Sequence, residues 1–413
     1  MYENYLIPVI NFDPEIIVSG KGSYIFDQNG KKYLDLNSGQ FCTVLGHSNR
    51  KFNRRLIKQI QTLTHTSTGM ISQTVVQLSQ KLYEISGAMK GYSILLSTGA
   101  EAVEFCIRNA KALTQKNGIV CFDKGYHGLT LGAQSITFSG KYARPVVSDI
   151  YPFRTPETFL NEAEIQQSIS DFKDLIEQNA SKIAAAVFEP IVSVGGMILP
   201  SALFFKAAEK ICSDNNVLLI FDESQTGFGR MGEWFAYQHL NVIPDMVVAA
   251  KGLGNGFPVS AVLMRENLIP GQGLLPVTHY SSHQNDPFTA AVVLAGIDFI
   301  EDNDILNRVR KNGPLFFNEL KQLCSECGYI QNPRGAGLMF GADLYCEGIS
   351  NYRKPYAAIH RNMMERGIAI QATNGGKTLR FLPDYLMKKS DFSFALQELC
   401  QTLNQLDWKK FHD

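Results

Sequence analysis

Val217-Leu-Leu-Ile-Phe-Asp222-Glu223-Ser-Gln225 is a short, continuous apolar run that ends in polar side chains. A run of this kind, with no alternation of polar and apolar residues, is typical of a strand buried on both faces of a parallel sheet. A second such run, Met246-Val-Val-Ala-Ala-Lys251, leads into a glycine-rich turn. We therefore predict two buried strands of one parallel sheet, of which the first ends at Asp222 and the second at Lys251.

Three further apolar runs of the same type precede these two, at residues 92–97, 119–123 and 183–189. Between the runs, apolar residues recur at helical spacing, as they do from Val103 to Leu113, where they form a stripe along one face. Strands that alternate with helices in this way form βαβ units. The fold class predicted for this part of the chain is therefore α/β, with a doubly wound, mostly parallel sheet.

The two ends of the chain have a different pattern. Two candidate strands in residues 23–36 flank Asn29-Gly30, which is a strong signal for a β-hairpin. After residue 290 we expect one long helix from Ala290 to about Lys311, followed by mixed strands and helices. These segments predict a second, smaller α+β domain that both termini build.

The domain boundaries follow from these patterns. We predict that residues 46–290 form the large domain. Residues 1–45 and 291–413 would form the two parts of the small domain.

Composition limits the class of function. The chain has 413 residues, with 39 Lys and Arg against 39 Asp and Glu, so its formal net charge is zero. Nucleic-acid binding needs a basic stripe, so we expect no nucleic-acid partner. The first residues lack the pattern of a signal peptide, and no apolar run is long enough for a membrane span. Eight cysteines are few for this length and typical of a reduced compartment, so we expect a cytoplasmic protein with no membrane partner.

A candidate phosphate site lies at Ser97-Thr-Gly-Ala-Glu-Ala102, between a predicted strand and a predicted helix. Small residues at such a turn leave backbone N–H groups accessible, and the helix dipole adds positive potential, so the turn can bind a phosphate. Taken alone, the motif more often marks an ordinary capped helix.

Asp222 is a candidate partner for a cationic ligand group. Burial at a strand end disfavours an ionised carboxylate that has no partner, and a protonated heterocycle nitrogen would supply one. Capping of a loop, or pairing with Arg230, is the structural alternative.

Lys251 is a candidate for covalent chemistry, because a partly desolvated lysine amine before a glycine-rich turn can bond to an aldehyde. Taken alone, a lysine at a strand end is usually only solvated. Together, the phosphate turn, Asp222 and Lys251 are the parts needed to hold the phosphate, ring nitrogen and aldehyde of pyridoxal 5′-phosphate (PLP).

These three features belong to a longer series of motifs: Tyr33-Leu-Asp, Leu45-Gly46-His47, Ser97-Thr-Gly-Ala-Glu-Ala102, Tyr126-His127-Gly128, Phe188-Glu189-Pro190-Ile191, Asp222-Glu-Ser-Gln-Thr-Gly-Phe-Gly-Arg230, Lys251-Gly-Leu-Gly and Leu379-Arg380-Phe-Leu-Pro383. With this series, the chain resembles the class III aminotransferases, a family of PLP-dependent enzymes of fold type I, over nearly its whole length. The resemblance implies a PLP-dependent transferase and a homodimer or dimer of dimers.

Within that family the chain resembles the 2,2-dialkylglycine decarboxylases at Ser38-Gly39-Gln40, at Ser282-His-Gln-Asn-Asp-Pro287, and at Val194, where many relatives have an acidic residue. This implies amino transfer from an amino acid to a keto acid such as pyruvate, coupled to decarboxylation. An ω- or α-aminotransferase without decarboxylation, an amino-acid epimerase and a catalytically inactive PLP-fold binding protein are the alternatives.

The resemblance also implies the catalytic residues. Lys251 would bond to the cofactor aldehyde and move the proton, and Asp222 would keep the ring nitrogen protonated. Arg380 would hold the retained substrate carboxylate, and Gln40 would contact the group that is cleaved. His127 is expected to shape a loop. Further contacts to the cofactor are implied for Gly99, Ala100, Tyr126, Glu189 and Gln225 of the same subunit. One more is implied for Ser282 of the partner subunit.

A metal site is implied as well. Thr68, Ser282, Gln284 and Asp286 align with an alkali-metal site of the decarboxylases. Oxygen ligands of this kind suit a hard cation such as K⁺ or Na⁺.

Overall fold

The computed structural model describes residues 5–7, 9–139, 146–269, 271 and 274–412. Residues 1–4, which belong to the segment assessed above for a signal peptide, lie outside the described residues. In the described part of the chain, no helix combines the length and the apolar character that a membrane crossing requires.

An antiparallel sheet near the N-terminus confirms the predicted hairpin. Its strands are β1 (Ile17–Lys21), β2 (Tyr24–Asp27) and β3 (Lys32–Asp35). Gly30 in the β2–β3 loop has φ 81°, a left-handed conformation that suits glycine. The Asp27 carboxylate accepts hydrogen bonds from two backbone N–H groups of this loop, which fixes the turn.

A seven-stranded sheet forms the centre of the molecule. Its strands in chain order are β4 (Gly91–Leu96), β5 (Gly118–Phe122), β6 (Ile150–Phe153), β7 (Ile183–Phe188), β8 (Leu218–Asp222), β9 (Met246–Ala249) and β10 (Ser260–Arg265). Their order across the sheet is β4-β10-β9-β8-β7-β5-β6. Strand β10 runs antiparallel to the other six strands, which are parallel to one another. The five predicted strands are confirmed, whereas β6 and β10 were not predicted.

Helices cover both faces of this sheet. They are α1 (Arg50–Thr62), α2 (Gln73–Ile85), α3 (Gly99–Thr114), α4 (Leu131–Ser135), α5 (Glu162–Gln178), α6 (Ala202–Asp214) and α7 (Ala236–Leu240). The successive side chains of Ile220 and Phe221 point to opposite faces, belong to separate apolar clusters and are both fully buried. Burial on both faces is the reason that the strand sequences read as continuous apolar runs.

The C-terminal part contains the remaining elements: α8 (Pro287–Asp302), α9 (Ile305–Glu326), β11 (Ile330–Ala336), β12 (Met339–Leu344), α10 (Arg353–Glu365), β13 (Ile368–Ala369), β14 (Gln371–Thr373), β15 (Thr378–Phe381) and α11 (Lys389–Gln405). Strand β13 pairs in parallel with β3, so the two ends of the chain share a sheet. The domain boundaries after residues 45 and 290 stay predictions.

The predicted single helix from Ala290 to about Lys311 is wrong. Two helices, α8 and α9, occupy this region, and Asp304 between them has φ 49°. A residue in the left-handed region cannot continue a right-handed helix, so the chain changes direction there. Helix α8 also begins earlier than predicted, because the Asp286 side chain caps it by accepting from the Phe288 N–H.

Candidate active site

A cavity of about 490 Å³ lies beyond the carboxyl ends of the central strands. It brings together five of the predicted site residues, although they come from four separate parts of the chain. They are Gly99, Ala100, Tyr126, Asp222 and Lys251. Parallel strands place their carboxyl ends at one edge of a sheet, and ligands of open α/β sheets bind there.

The phosphate turn forms the start of α3. Thr98 caps the helix by accepting from the Glu101 N–H, so the capping interpretation of this motif is also correct. The first N–H groups of a helix nevertheless have no acceptor inside it. Because Gly99 and Ala100 line the cavity, an anion there can accept hydrogen bonds from this turn.

Asp222 is held by His127 and Ser224. The Asp222 Oδ2 atom lies 2.8 Å from His127 Nδ1, and its Oδ1 atom accepts from the Ser224 hydroxyl at 2.5 Å. Burial acts to raise the pKa of Asp222, but the bond and charge of His127, the charge of Lys251 and the Ser224 hydroxyl hold this pKa below its ordinary value. The carboxylate is therefore ionised when it meets a ligand.

Two sequence interpretations change here. Pairing of Asp222 with Arg230 is wrong, because the Arg230 guanidinium donates to the carbonyl groups of Leu338 and Pro383. His127 contacts Asp222 directly and does more than shape a loop. The Ser224 hydroxyl orients the same carboxylate. No local pattern could reveal the His127 contact, since 95 residues separate the partners.

We expect His127→Leu to move the acidic limb of the kcat/KM profile to higher pH. The contact with His127 lowers the pKa of Asp222, so its removal raises this pKa, and activity that needs the ionised carboxylate is lost at a higher pH as the solution is acidified. His127→Asn keeps a side-chain donor and should restore part of the shift. Identical acidic limbs in the wild type and His127→Leu would refute this role of His127.

Glu189 contacts the backbone of Tyr126. It is buried and accepts from the Tyr126 N–H at 2.8 Å, and burial raises the pKa of Glu189 to about 7. It is not among the residues that line the cavity. Glu189 therefore positions the Tyr126 backbone, and the direct cofactor contact implied for it stays a prediction.

Lys251 begins a short turn of 3₁₀ helix directly after β9, and its φ is 49°. This conformation is uncommon for a residue with a side chain and is often found at functional sites. The turn places Lys251 in the cavity that Asp222 also lines.

The polar groups of the cavity match the polar groups of PLP. The Gln225 Oε1 atom is buried without a hydrogen-bond partner among the described residues, but Gln225 does not line the cavity, and the cofactor contact implied for it stays a prediction. The His127 Nε2 atom, on a residue that does line the cavity, is also buried and has no such partner. A buried polar atom without a partner costs about 1–3 kcal/mol, which a polar ligand beside it would offset. The turn at Gly99 suits the phosphate, and the ionised Asp222 suits a protonated ring nitrogen.

Arg380 and Gln40 lie outside this cavity. The Arg380 guanidinium packs 4.8 Å from the centre of the Phe41 ring and donates to Gln371 Oε1 at 2.9 Å. Gln371 in turn donates to Gln40 Oε1 at 2.9 Å, and both glutamines line a second cavity of about 220 Å³. Sequence reasoning missed Gln371.

Three of the four residues of the implied alkali-metal site, Thr68, Gln284 and Asp286, make hydrogen bonds to other protein groups. The Thr68 hydroxyl donates to the Ser281 carbonyl, and Gln284 Oε1 accepts from the Ser281 N–H. Asp286 Oδ2 lies 2.6 Å from His65 Nδ1 and 3.2 Å from His283 Nδ1, so two imidazoles already contact this oxygen. The alkali-metal site stays a prediction. Ser282 is absent from the lining of the Lys251 cavity, and its role also stays a prediction.

Comparison with known proteins gives consistent matches. The family model described as aminotransferase class-III matches residues 11–403. The chain is 32% identical to a [LysW]-aminoadipate semialdehyde/glutamate semialdehyde transaminase of Sulfurisphaera tokodaii, over 92% of both chains. It is 31% identical to an acetylornithine aminotransferase of Methanocaldococcus jannaschii, over 98% of this chain and 97% of the relative.

Solved structures agree in fold. A Bacillus anthracis aminotransferase superposes with a TM-score of 0.91 at 23% identity, over 98% of this chain and 97% of that one. A PMP-bound aminotransferase from Vibrio fluvialis has a TM-score of 0.89 at 23% identity, with coverage of 98% and 97%. The predicted fold, a fold-type I PLP transferase with a large α/β sheet, is confirmed. The resemblance to the decarboxylases stays a prediction.

Proposed function

Since the chain belongs to the PLP-dependent class III aminotransferases, we propose that it moves the amino group of a carboxylate-bearing amino acid to a keto acid such as pyruvate. The observation that carries the substrate class is Arg380. This side chain is 6% exposed, and no carboxylate among the described residues forms an ion pair with it. A buried charge normally has a partner, so a substrate carboxylate is the group that suits it.

The cofactor supplies an electron sink when it is bound. Lys251 Nζ takes the proton from the substrate carbon that carries the amine and delivers it in the reverse direction for the keto acid. Asp222, whose carboxylate His127 and Ser224 fix, would hold the ring nitrogen in its protonated state. Gly99 and Ala100 would bind the phosphate, and Tyr126 would contact the ring. The placement of these side chains around one cavity supports the proposed roles.

The relatives support a substrate with a carboxylate away from the reacting nitrogen. By name, they act on acetylornithine, or on aminoadipate and glutamate semialdehydes. Such compounds carry an amine or aldehyde at one end and a carboxylate elsewhere. An ω-amino acid of this type is therefore the first candidate donor.

Decarboxylation-coupled transfer is the second candidate, and the observation that favours it is Gln40. Its amide lies in the same hydrogen-bonded chain as Arg380, where it could contact a second carboxylate. Val194 also stands where many relatives have an acidic residue, as the resemblance to the decarboxylases implies.

We also propose a cytoplasmic homodimer or dimer of dimers, in which Ser282 of the partner subunit completes the phosphate site. Leu274 and Tyr280 support this proposal, because these large apolar side chains are 92% and 78% exposed in the single chain.

A panel of amino donors tests the proposed function. The holoenzyme is mixed with N-acetylornithine, ornithine, L-alanine or 2-aminoisobutyrate, with pyruvate or 2-oxoglutarate as acceptor, and both the aminated acceptor and trapped CO₂ are measured. We expect transfer from at least one donor. 2-Aminoisobutyrate has no proton on the carbon that bears its amine, so its reaction with release of CO₂ would establish the decarboxylating route. Failure of every donor contradicts the proposal.

A further inference from the structure

Gln371 connects Arg380 with Gln40. It lies in β14 directly opposite Arg380 in the neighbouring β15, and side chains of directly opposed residues lie on the same face of a sheet. The Gln371 Oε1 atom accepts from the Arg380 guanidinium at 2.9 Å, and its Nε2 atom donates to Gln40 Oε1 at 2.9 Å. Backbone register therefore fixes this contact.

The chemistry of the three side chains determines which way each amide faces. A guanidinium has only donors, so Gln371 must turn its oxygen toward Arg380. Its NH₂ group then faces Gln40, which must present its own oxygen in return. As a consequence, the Gln40 NH₂ group is left to donate elsewhere.

Arg380 has further capacity to donate. Its Nε atom is buried and has no hydrogen-bond partner among the described residues, and its bond to Gln371 is to a neutral acceptor. Burial lowers the pKa of Arg380 to about 10, so the guanidinium remains charged near neutral pH. The site thus combines a positive charge and amide donors. No carboxylate among the described residues pairs with Arg380, although Asp13, Glu15 and Asp35 line the cavity beside the two glutamines.

We propose that Gln371 is a positioning residue that fixes the Gln40 amide as a donor, so that Arg380 and Gln40 together receive a carboxylate of the substrate. This inference depends on the proposed function and sharpens its substrate class. Amino acids and keto acids are accepted, whereas amines without a carboxylate lose this binding contribution.

Gln371→Glu replaces the NH₂ donor that faces Gln40 by a carboxylate acceptor, with almost no change in the shape of the side chain. The new carboxylate pairs with Arg380 and accepts from the Gln40 NH₂ group, so Gln40 then presents its oxygen to the substrate. Hydrogen bonds to charged groups contribute about 1.5–3 kcal/mol, which corresponds to roughly 10- to 100-fold in affinity. We expect calorimetry on the holoenzyme to show succinate binding weakened by about this factor, with a matching rise in KM for carboxylate-bearing donors. The single-turnover reaction of the PLP form with a simple alkylamine, which brings no carboxylate, should change much less than the reaction with carboxylate-bearing donors.

Two further variants make the test specific. Gln371→Met removes both hydrogen bonds without adding charge, and we expect an intermediate loss of succinate affinity. Gln405→Glu is the matched control, because Gln405 also accepts from an arginine, Arg366, at 2.8 Å, but lies on the exposed surface away from both cavities. Thermal unfolding of each variant checks that it folds.

The outcomes separate the two proposals. If the wild type binds succinate and prefers carboxylate-bearing donors, but Gln371→Glu and Gln371→Met behave like the wild type, the role of Gln371 is wrong while the proposed function stands. If the wild type itself has no affinity for succinate and treats alkylamines and amino acids alike, both proposals are wrong.

Discussion

Lys251→Ala should lower kcat for amino transfer by at least about 10³-fold. The lysine amine lies in the cavity with Asp222 and is the group proposed to bond to the cofactor and to move the proton. A positioned acid–base group alone contributes about 10²–10⁴-fold, and loss of the covalent attachment adds to this effect. The measurement is single-turnover kinetics with the best donor of the panel, together with the absorbance spectrum of the cofactor.

The control for this prediction is Lys206→Ala, which removes an exposed lysine from α6 and should leave kcat unchanged. Added methylamine should restore part of the rate of Lys251→Ala, because a small free amine can take over the proton transfer. A variant that keeps wild-type kcat and the wild-type spectrum would show that another residue acts on the substrate.

Asp222→Asn is expected to lower kcat/KM by about 10²–10³-fold. The amide keeps the size of the carboxylate and can still accept from Ser224, but it has no negative charge to hold a protonated ring nitrogen. Loss of one preorganised electrostatic contact at a reacting centre has effects of this size. The expected change is mainly in kcat, since the phosphate turn at the start of α3 still binds the cofactor.

Asp214→Asn is the matched control for this variant, because Asp214 is an exposed carboxylate that pairs with Lys210 on α6. It should leave kcat/KM unchanged. If Asp222→Asn only weakens cofactor binding and has wild-type kcat at saturating PLP, the electrostatic role assigned to Asp222 is incorrect.

Much of the central fold could be predicted from local sequence. Strands β8 and β9 are buried on both faces, so their sequences are continuous apolar runs, and the polar residues that end them fall at one edge of the sheet. Strand β6 was missed because it is a four-residue edge strand with a proline at its third position. The break between α8 and α9 was missed because it depends on the left-handed Asp304, whose neighbours continue a helical pattern.

Site residues at the ends of strands could be predicted from the sequence. Contacts between segments that are distant in the chain could not. Asp222 and Lys251 follow from strand ends that share one edge. His127 reaches Asp222 across 95 residues, and Gln371 reaches Gln40 across 331. Contacts of this kind depend on sheet order and register, neither of which a local pattern contains.

Transfer of labelled nitrogen shows directly whether this protein is an aminotransferase. The holoenzyme is incubated with a mixture of ¹⁵N-labelled amino acids that lacks alanine and glutamate, with unlabelled pyruvate and 2-oxoglutarate as acceptors, and the products are analysed by mass spectrometry. We expect ¹⁵N in newly formed alanine or glutamate with the wild type, and formation of these products at least about 10³-fold slower with Lys251→Ala. Release of the label as ammonia, or no labelled product from any donor, would contradict this expectation.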